Sequence, residues 1–151
     1  MKGVSLSRSL AGYIQKLGYN DLPSEVAERA KTSVLNVFAG CFAGWKLPWS
    51  QVAQKAGENV PGCSTVWAYG NKTSSAEAAL ANAVMSHSVI LEDFTPGLGH
   101  PGASIIPAAF AIAEEKNSSG SELITAIVAG YDTLRGVGSG LGNRLYSGSC
   151  N

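Results

Sequence analysis

Charged residues are few in this chain, and histidine is rarer still. Its 151 residues carry eleven basic and eleven acidic side chains, a formal net charge of zero, and only two histidines. Because there is no basic run or stripe, binding to nucleic acid or to an anionic membrane surface is not expected. No apolar run approaches the ~20 residues that a membrane-spanning helix needs, so a membrane protein is not expected either.

Cysteine is also scarce, with Cys41, Cys63 and Cys150 widely spaced along the chain. They form no CxxC pair and no metal-ligand pattern with the histidines, so we predict free thiols in a reducing compartment and no metal site. Residues 1–18 are amphipathic and lack the apolar core of a secretory signal. We therefore predict a cytoplasmic location, with a mitochondrial presequence as the alternative.

Helical periodicity dominates what is present, and it predicts one mainly α domain. We expect about six helices and at most one short extended segment, Ser64–Tyr69, with a turn after it. After Arg135 the sequence is too glycine-rich for a confident helix, and its apolar-poor end is what a truncation would leave. The predicted helices cover residues 6–18 with Gly18 as C-cap, 23–44, 48–59, 75–91, 101–116, and a last helix capped by Ser121.

The end of the second predicted helix has a distinctive composition. The run Phe38-Ala-Gly-Cys-Phe-Ala-Gly44 is small and apolar throughout. Such a run predicts close packing of the second helix against another helix.

Residues 82–114 contain both histidines and an adjacent acid pair, Glu92 and Asp93, on a short loop between apolar helices. Scarce titratable groups on such a loop are typical of an active site. Each residue also has a plainer interpretation. His87 could be a core histidine, and the acids could simply close the preceding helix. Since negative charge is unfavourable at a helix C-terminus, we expect His100, a substrate or a partner subunit to hold the acids.

His100 lies in Gly99-His100-Pro101, just before the next helix. A helix N-terminus favours anions, so a carboxylate substrate could bind beside the imidazole. The plainer interpretation is a simple turn residue. The later glycine run, residues 136–142, follows a helix and lacks the GxGxxG and GK[ST] patterns, so it does not predict a phosphate loop.

Five segments together resemble the N-terminal helical domain of the MmgE/PrpD family, which includes 2-methylcitrate dehydratase, cis-aconitate decarboxylase and iminodisuccinate epimerase. His87 followed by two acids and then the His-Pro pair at His100 is the most specific element. The resemblance covers nearly the whole chain. The segments are AKTSVLNVFAGCFAG (30–44), STVWAYG (64–70), ANAVMSHSVILEDF (81–94), HPGASIIPAAFAIAE (100–114) and SGSELITAIVAGYD (119–132).

This resemblance implies a cofactor-independent lyase that acts on a small di- or tricarboxylate by proton abstraction next to a carboxylate. It also implies a homodimer with its active site in a cleft between two domains. Carried over by position, His100 is the active-site histidine, and Glu92 and Asp93 are acid/base or substrate-positioning groups. Thr95 and His87 are expected on the substrate-binding side, with His87 as local support.

Two positions depart from the family pattern, because Ile90 and Phe94 stand where an acid and a threonine are common. Family members are also considerably longer. The expectation is therefore that residues 1–151 form the N-terminal portion of the helical domain, without the second α+β domain and without significant turnover alone. The alternative is a non-catalytic truncated paralogue that acts as a helical self-association or interaction module.

Overall fold

The computed structural model describes residues 5–141, and within them the chain is mainly α, as predicted. These residues form six helices, with one 3₁₀ turn at Tyr19–Asp21. None of the described helices is both long enough and apolar enough to cross a membrane. The helices are α1 (Leu6–Ile14), α2 (Ser24–Gly44), α3 (Pro48–Ala56), α4 (Ser75–His87), α5 (Gly102–Lys116) and α6 (Gly120–Leu141).

Helix α2 packs very closely against α4, and the glycines near its end make this possible. A Cβ atom on Gly40 would lie 2.6 Å from the carbonyl oxygen of Ser86, and one on Gly44 would overlap the carbonyl oxygen of Met85. Real Cβ atoms do not approach other atoms so closely. The predicted close helix–helix packing of this glycine-containing run is therefore confirmed, and it fixes α4 together with His87 at its end.

The main core lies between α2, α5 and α6. Val37, Ile106 and Ile127 are fully buried there and contact one another through a continuous apolar cluster. Beside it, the rings of Phe38, Trp67 and Phe110 pack with centroid separations of 4.1–5.5 Å. Burial of such side chains stabilises a fold by ~1.5–3 kcal/mol each. This core holds α5 and α6 in place behind the loop that carries the candidate site.

The extended segment predicted at 64–69 is shorter than expected and is not alone. Residues Ser64–Thr65 (β1) pair antiparallel with Lys72–Thr73 (β2), and the residues between them form a tight turn with Gly70 at φ +76°. The buried Asn82 side chain of α4 holds the hairpin, since it accepts from Trp67 N and donates to Thr65 O, both at 2.9 Å. Two-residue strands lack a periodic pattern, which is why the sequence did not predict the partner strand.

Several predicted helix ends differ from the structure. Helix α1 ends at Ile14 rather than Gly18, and α4 ends at His87 rather than near Leu91. Helix α6 continues through the glycine-rich residues to Leu141, and within that stretch Leu98 lies close against Gly138. Ser119 rather than Ser121 accepts from its first turn. Residues 142–151, with Cys150 and most of the predicted tail, lie outside the described residues.

Candidate functional site

The loop of residues 88–101 connects α4 to α5 and carries most of the predicted site. It begins with a turn in which Ile90 has φ +52°, a left-handed conformation that is strained for a β-branched residue. Gly97 and Gly99 adopt φ +81° and +75°, which glycine does without strain. The acid pair therefore lies in the loop, five and six residues beyond the end of α4. The prediction that these acids close the helix is wrong, and the helix dipole does not act on them directly.

Glu92 is buried between the two histidines. Its side chain has no exposed surface, and its Oε1 atom is hydrogen-bonded to Nδ1 of His87. The same oxygen lies 3.5 Å from Nδ1 of His100, without the geometry of a hydrogen bond. The hydrogen bond that holds Glu92 thus comes from His87, whereas His100 lies beside the same oxygen without a hydrogen bond to it.

Half of the His87 side chain is exposed, so the interpretation of His87 as a core histidine is wrong. His100 is 22% exposed, and its ring centroid lies 5.1 Å from that of His87. The centroid of the Phe94 ring lies 5.4 Å from that of His100. His100 therefore has two neighbouring rings, which a simple turn residue would not require.

Asp93 has a different position from Glu92. Its Oδ1 accepts from the backbone N–H of Gly102 at 3.0 Å, and its Oδ2 accepts from the Tyr131 hydroxyl at 2.9 Å. A Cβ atom on Gly102 would overlap Oδ1, so glycine is needed at this contact. Asp93 thus satisfies the start of α5, where a substrate carboxylate was expected to bind. Its predicted acid/base role remains a prediction, but its contacts are those of a structural cap.

Thr95 is half-buried and closes the tight turn of the loop. Its N–H donates to Gly99 O at 2.8 Å, and its own carbonyl accepts from Gly99 N at 3.0 Å. Thr95 does not line the pocket beside the histidines. Its predicted role in substrate binding is not supported by a contact here and stays a prediction.

An open pocket of about 480 Å³ lies against both imidazoles, between the end of α4 and the start of α5. The loop residue Leu98 forms part of its wall, and it also fills the space beside Gly138 of α6. The residues lining the pocket are mostly small and apolar: Ala83, Val84, His87, Leu98, Gly99, His100, Ala103 and Ser104.

Neither Tyr131 nor Leu98 was singled out from the sequence as a site residue. Tyr131 was predicted only as part of the buried face of α6, and it lies 38 positions from Asp93. Its raised pKa follows from burial first and then from the neighbouring Asp93 charge. No local pattern links a helix tyrosine to a loop acid at that distance in sequence, so only the fold could reveal this contact.

His87, Glu92 and His100 are also the kind of donor set that binds Zn²⁺ or another divalent transition metal. One nitrogen or oxygen atom of each lies within 4.8 Å of the others. However, His87 Nδ1 and Glu92 Oε1 are already hydrogen-bonded to each other. The arrangement is that of a carboxylate shared by two imidazoles, with no space between the donors of the first pair.

The sequence profile of the MmgE/PrpD N-terminal domain matches residues 8–147, which is almost the whole chain. The chain belongs to the MmgE/PrpD family. Among curated proteins, it is 28% identical over 149 residues to cis-aconitate decarboxylase from Aspergillus terreus, which covers 93% of this chain and 30% of that protein. It is 29% identical over 147 residues to cis-aconitate decarboxylase-like protein oryM from Aspergillus oryzae, with 91% and 30% covered.

No solved structure matches this MmgE/PrpD chain significantly. The chain spans about 30% of the length of the curated relatives it matches. The predicted family and the mainly α fold are confirmed. The substrate, the reaction and the location remain predictions, and so do the roles of the individual site residues.

Proposed function

We propose that this chain provides the two-histidine wall of an MmgE/PrpD-type lyase, which dehydrates or decarboxylates a small di- or tricarboxylate. The observation that carries the proposal is the pair of imidazoles, His87 and His100, which line one pocket beside a buried carboxylate. Family membership supports the lyase class, and the relatives named as cis-aconitate decarboxylases support a substrate of the type of cis-aconitate.

The pocket suits proton transfer more than tight anion binding. No lysine or arginine is among the described residues that line it, so an imidazolium and the Ser104 hydroxyl are the groups there that can meet a carboxylate. His100 is half-buried and is held by two neighbouring rings, which keeps the imidazole oriented. An oriented histidine contributes about 10²–10⁴-fold to a rate when it moves a proton in the transition state.

In a dehydration, His100 would accept the proton from the carbon next to a carboxylate, a C=C bond would form as the C–O bond breaks, and the imidazolium would give its proton to the departing hydroxyl group, which leaves as water. In a decarboxylation, the C–C bond would break with loss of carbon dioxide, and the imidazolium would give a proton to carbon. The histidine acts as a base in the first reaction and as an acid in the second, and both reactions need groups that bind a carboxylate, so the proposal includes both. It uses no metal and no cofactor.

The test is to measure binding and turnover of cis-aconitate and 2-methylcitrate by the purified chain and by the longest protein that its reading frame encodes. We expect binding by calorimetry, with turnover in the longer protein if the frame continues. His100→Ala should weaken binding or reduce turnover by about 10²-fold or more. Glu122→Gln is the control, because Glu122 caps α6 at Ser119, away from the histidines. Equal affinity of His100→Ala and the unaltered chain, with no loss of turnover in the longer protein, would refute the site.

A second candidate is a non-catalytic self-association module. It is favoured by the large apolar side chains that the described helices expose, among them Leu35 on α2 and Val52 on α3, at 72% and 69%. Such exposure favours contact with another protein surface. Lack of carboxylate binding together with stable self-association would support this candidate over the lyase. A lyase that is also a homodimer would show both properties.

A further inference from the structure

The two imidazoles present the same nitrogen to the same oxygen. Nδ1 of His87 is hydrogen-bonded to Glu92 Oε1, and Nδ1 of His100 lies 3.5 Å from that atom. The Nε2 atoms are therefore the ring nitrogens left for a molecule in the pocket that both residues line.

Because Glu92 is buried, its carboxylate needs hydrogen-bond donors from the neighbouring side chains. Its side chain has no exposed surface, and within the part of the chain described here its Oε2 atom has no hydrogen-bond partner. A buried carboxylate without hydrogen-bond donors is strongly unfavourable, so the nitrogens that face Glu92 are expected to carry protons. Nδ1 of His100 is also buried without a hydrogen-bond partner, and a small rotation of its ring would close the 3.5 Å distance to Oε1.

We propose that Glu92 is a positioning residue, which holds both His87 and His100 as Nδ1–H tautomers with the Nε2 lone pairs facing the pocket. The partner of one imidazole nitrogen decides the state of the other. The residue predicted as a catalytic acid or base would therefore act through the histidines, since its own side chain reaches no exposed surface. The catalytic consequence rests on the proposed function, whereas the tautomer assignment does not.

For the proposed lyase, the proton balance is simple. In a dehydration, the substrate carbon next to a carboxylate loses its proton to Nε2 of one imidazole, which becomes an imidazolium with a proton on each nitrogen and then gives the Nε2 proton to the departing hydroxyl group. The buried Glu92 carboxylate stabilises that positive charge through the Nδ1–H group. Without Glu92, an imidazole protonated at Nε2 could not accept the substrate proton there.

The imidazole nitrogens can be observed directly by ¹⁵N NMR of the histidine-labelled chain. Only two histidines are present, so two imidazole spin systems are expected and His87→Gln assigns them. At a pH where the rings are neutral, we expect both to show a protonated Nδ1 and an unprotonated Nε2. If His100 showed the Nε2–H form in the unaltered chain, the proposal would be refuted without any variant.

Variants then test whether Glu92 is the cause. Glu92→Gln keeps the side-chain size but removes the charge, and Glu92→Ala removes both acceptors. We expect Nε2–H forms to appear in both variants, more completely in Glu92→Ala. Asp93→Asn is the matched control, because the adjacent acid bonds to Gly102 and Tyr131 and not to the histidines. Circular dichroism identifies any variant that fails to fold, and Glu92→Gln is the variant that then decides.

The test of the positioning role can fail without a failure of the proposed function. Nδ1–H tautomers that persist in Glu92→Gln and match those of the unaltered chain would refute the positioning role but leave carboxylate binding untouched. Where the longer protein is active, Glu92→Gln should lower kcat by about 10²-fold with little change in KM. Restoration of the tautomers and of kcat by Glu92→Asp, compared with Glu92→Ala, would support positioning over a purely structural role.

Discussion

Glu92 and Asp93 are neighbours in the chain but have different partners. Glu92 meets two imidazoles, whereas Asp93 meets a backbone N–H and the hydroxyl of Tyr131. An adjacent acid pair on a loop therefore does not act as one unit here. Of the two acids, only Glu92 contacts the histidines that line the pocket, so only Glu92 can influence the pocket through them.

Replacement of Tyr131 by phenylalanine tests the role of Asp93 as a cap. The change removes one donor to a partly buried carboxylate while keeping the ring that packs against the core. A hydrogen bond to a charged group contributes about 1.5–3 kcal/mol, so we expect the free energy of unfolding to fall by about 2 kcal/mol in denaturant titrations. A loss below the measurement error would contradict the cap.

The same variant has an expected pH signature. Burial and the Asp93 charge raise the pKa of Tyr131 above its ordinary value of 10.0. The folded state therefore keeps the phenol proton when the unfolded chain has begun to lose it. The stabilisation is complete below pH 10 and decreases as pH rises above it. The free energy of unfolding should fall less steeply above pH 10 in Tyr131→Phe, although the exposed Tyr13 bonded to Asp132 leaves some slope.

At the scale of single residues, the scarcity of histidine singled out a loop whose two flanking histidines line one pocket in the structure, while their roles remain predictions. It could not distinguish Glu92 from Asp93, since their burial depends on contacts from α4 and α6. It also could not predict the left-handed backbone at Ile90, which a β-branched residue rarely adopts. Phe94 stands where the family often has threonine, and only the structure showed that its ring supports His100.

At the scale of helices, apolar periodicity predicted all six, and most of the errors lie at their ends. Helix α4 stops at His87 although no glycine or proline follows directly. Ser88 just beyond it accepts from Trp49 Nε1 at 2.8 Å and bonds to Val84 O, and such side-chain contacts compete with continuing the helix. The Trp49 contact comes from α3, which is distant in sequence, so the local sequence could not predict it.

The close approach of α2 and α4 gives a prediction at the same scale. Gly40→Ala would place a Cβ 2.6 Å from the Ser86 carbonyl oxygen, a backbone atom that cannot move aside independently. We expect the free energy of unfolding to fall by about 1–3 kcal/mol, the usual cost of overpacking.

Gly12→Ala is the matched control, because a Cβ at this position in α1 meets no atom within 4 Å. That change should stabilise the protein by up to about 1 kcal/mol through helix propensity alone. Thermal and urea unfolding of both variants give the comparison. Equal effects at Gly40 and Gly12 would show that α2 and α4 are not in close contact in solution.

At the scale of the whole molecule, the arrangement explains why a loop can hold a defined pair of histidines. His87 is fixed by α4, which is anchored on α2 through Gly40 and Gly44. His100 is fixed by the start of α5, which Asp93 and Tyr131 tie to α6. Four helices thus determine the separation of the two rings. Sequence periodicity predicted these helices but not how they meet, because their contacts join residues far apart in the chain.

The exposed apolar face of α2 gives the last prediction, that the chain self-associates. Leu35 and Phe42 lie two turns apart on this helix and are 72% and 55% exposed. An apolar groove of about 560 Å³, lined in part by Val34 and Phe110, lies beside Leu35. Sedimentation or light scattering at about 100 µM should show a dimer, since such a face is buried on association. The double change Leu35→Glu and Phe42→Glu should give a monomer, while Leu80→Glu on α4 should not. A monomeric unaltered chain, or a dimer that persists in the double variant, would show that this face is not the contact.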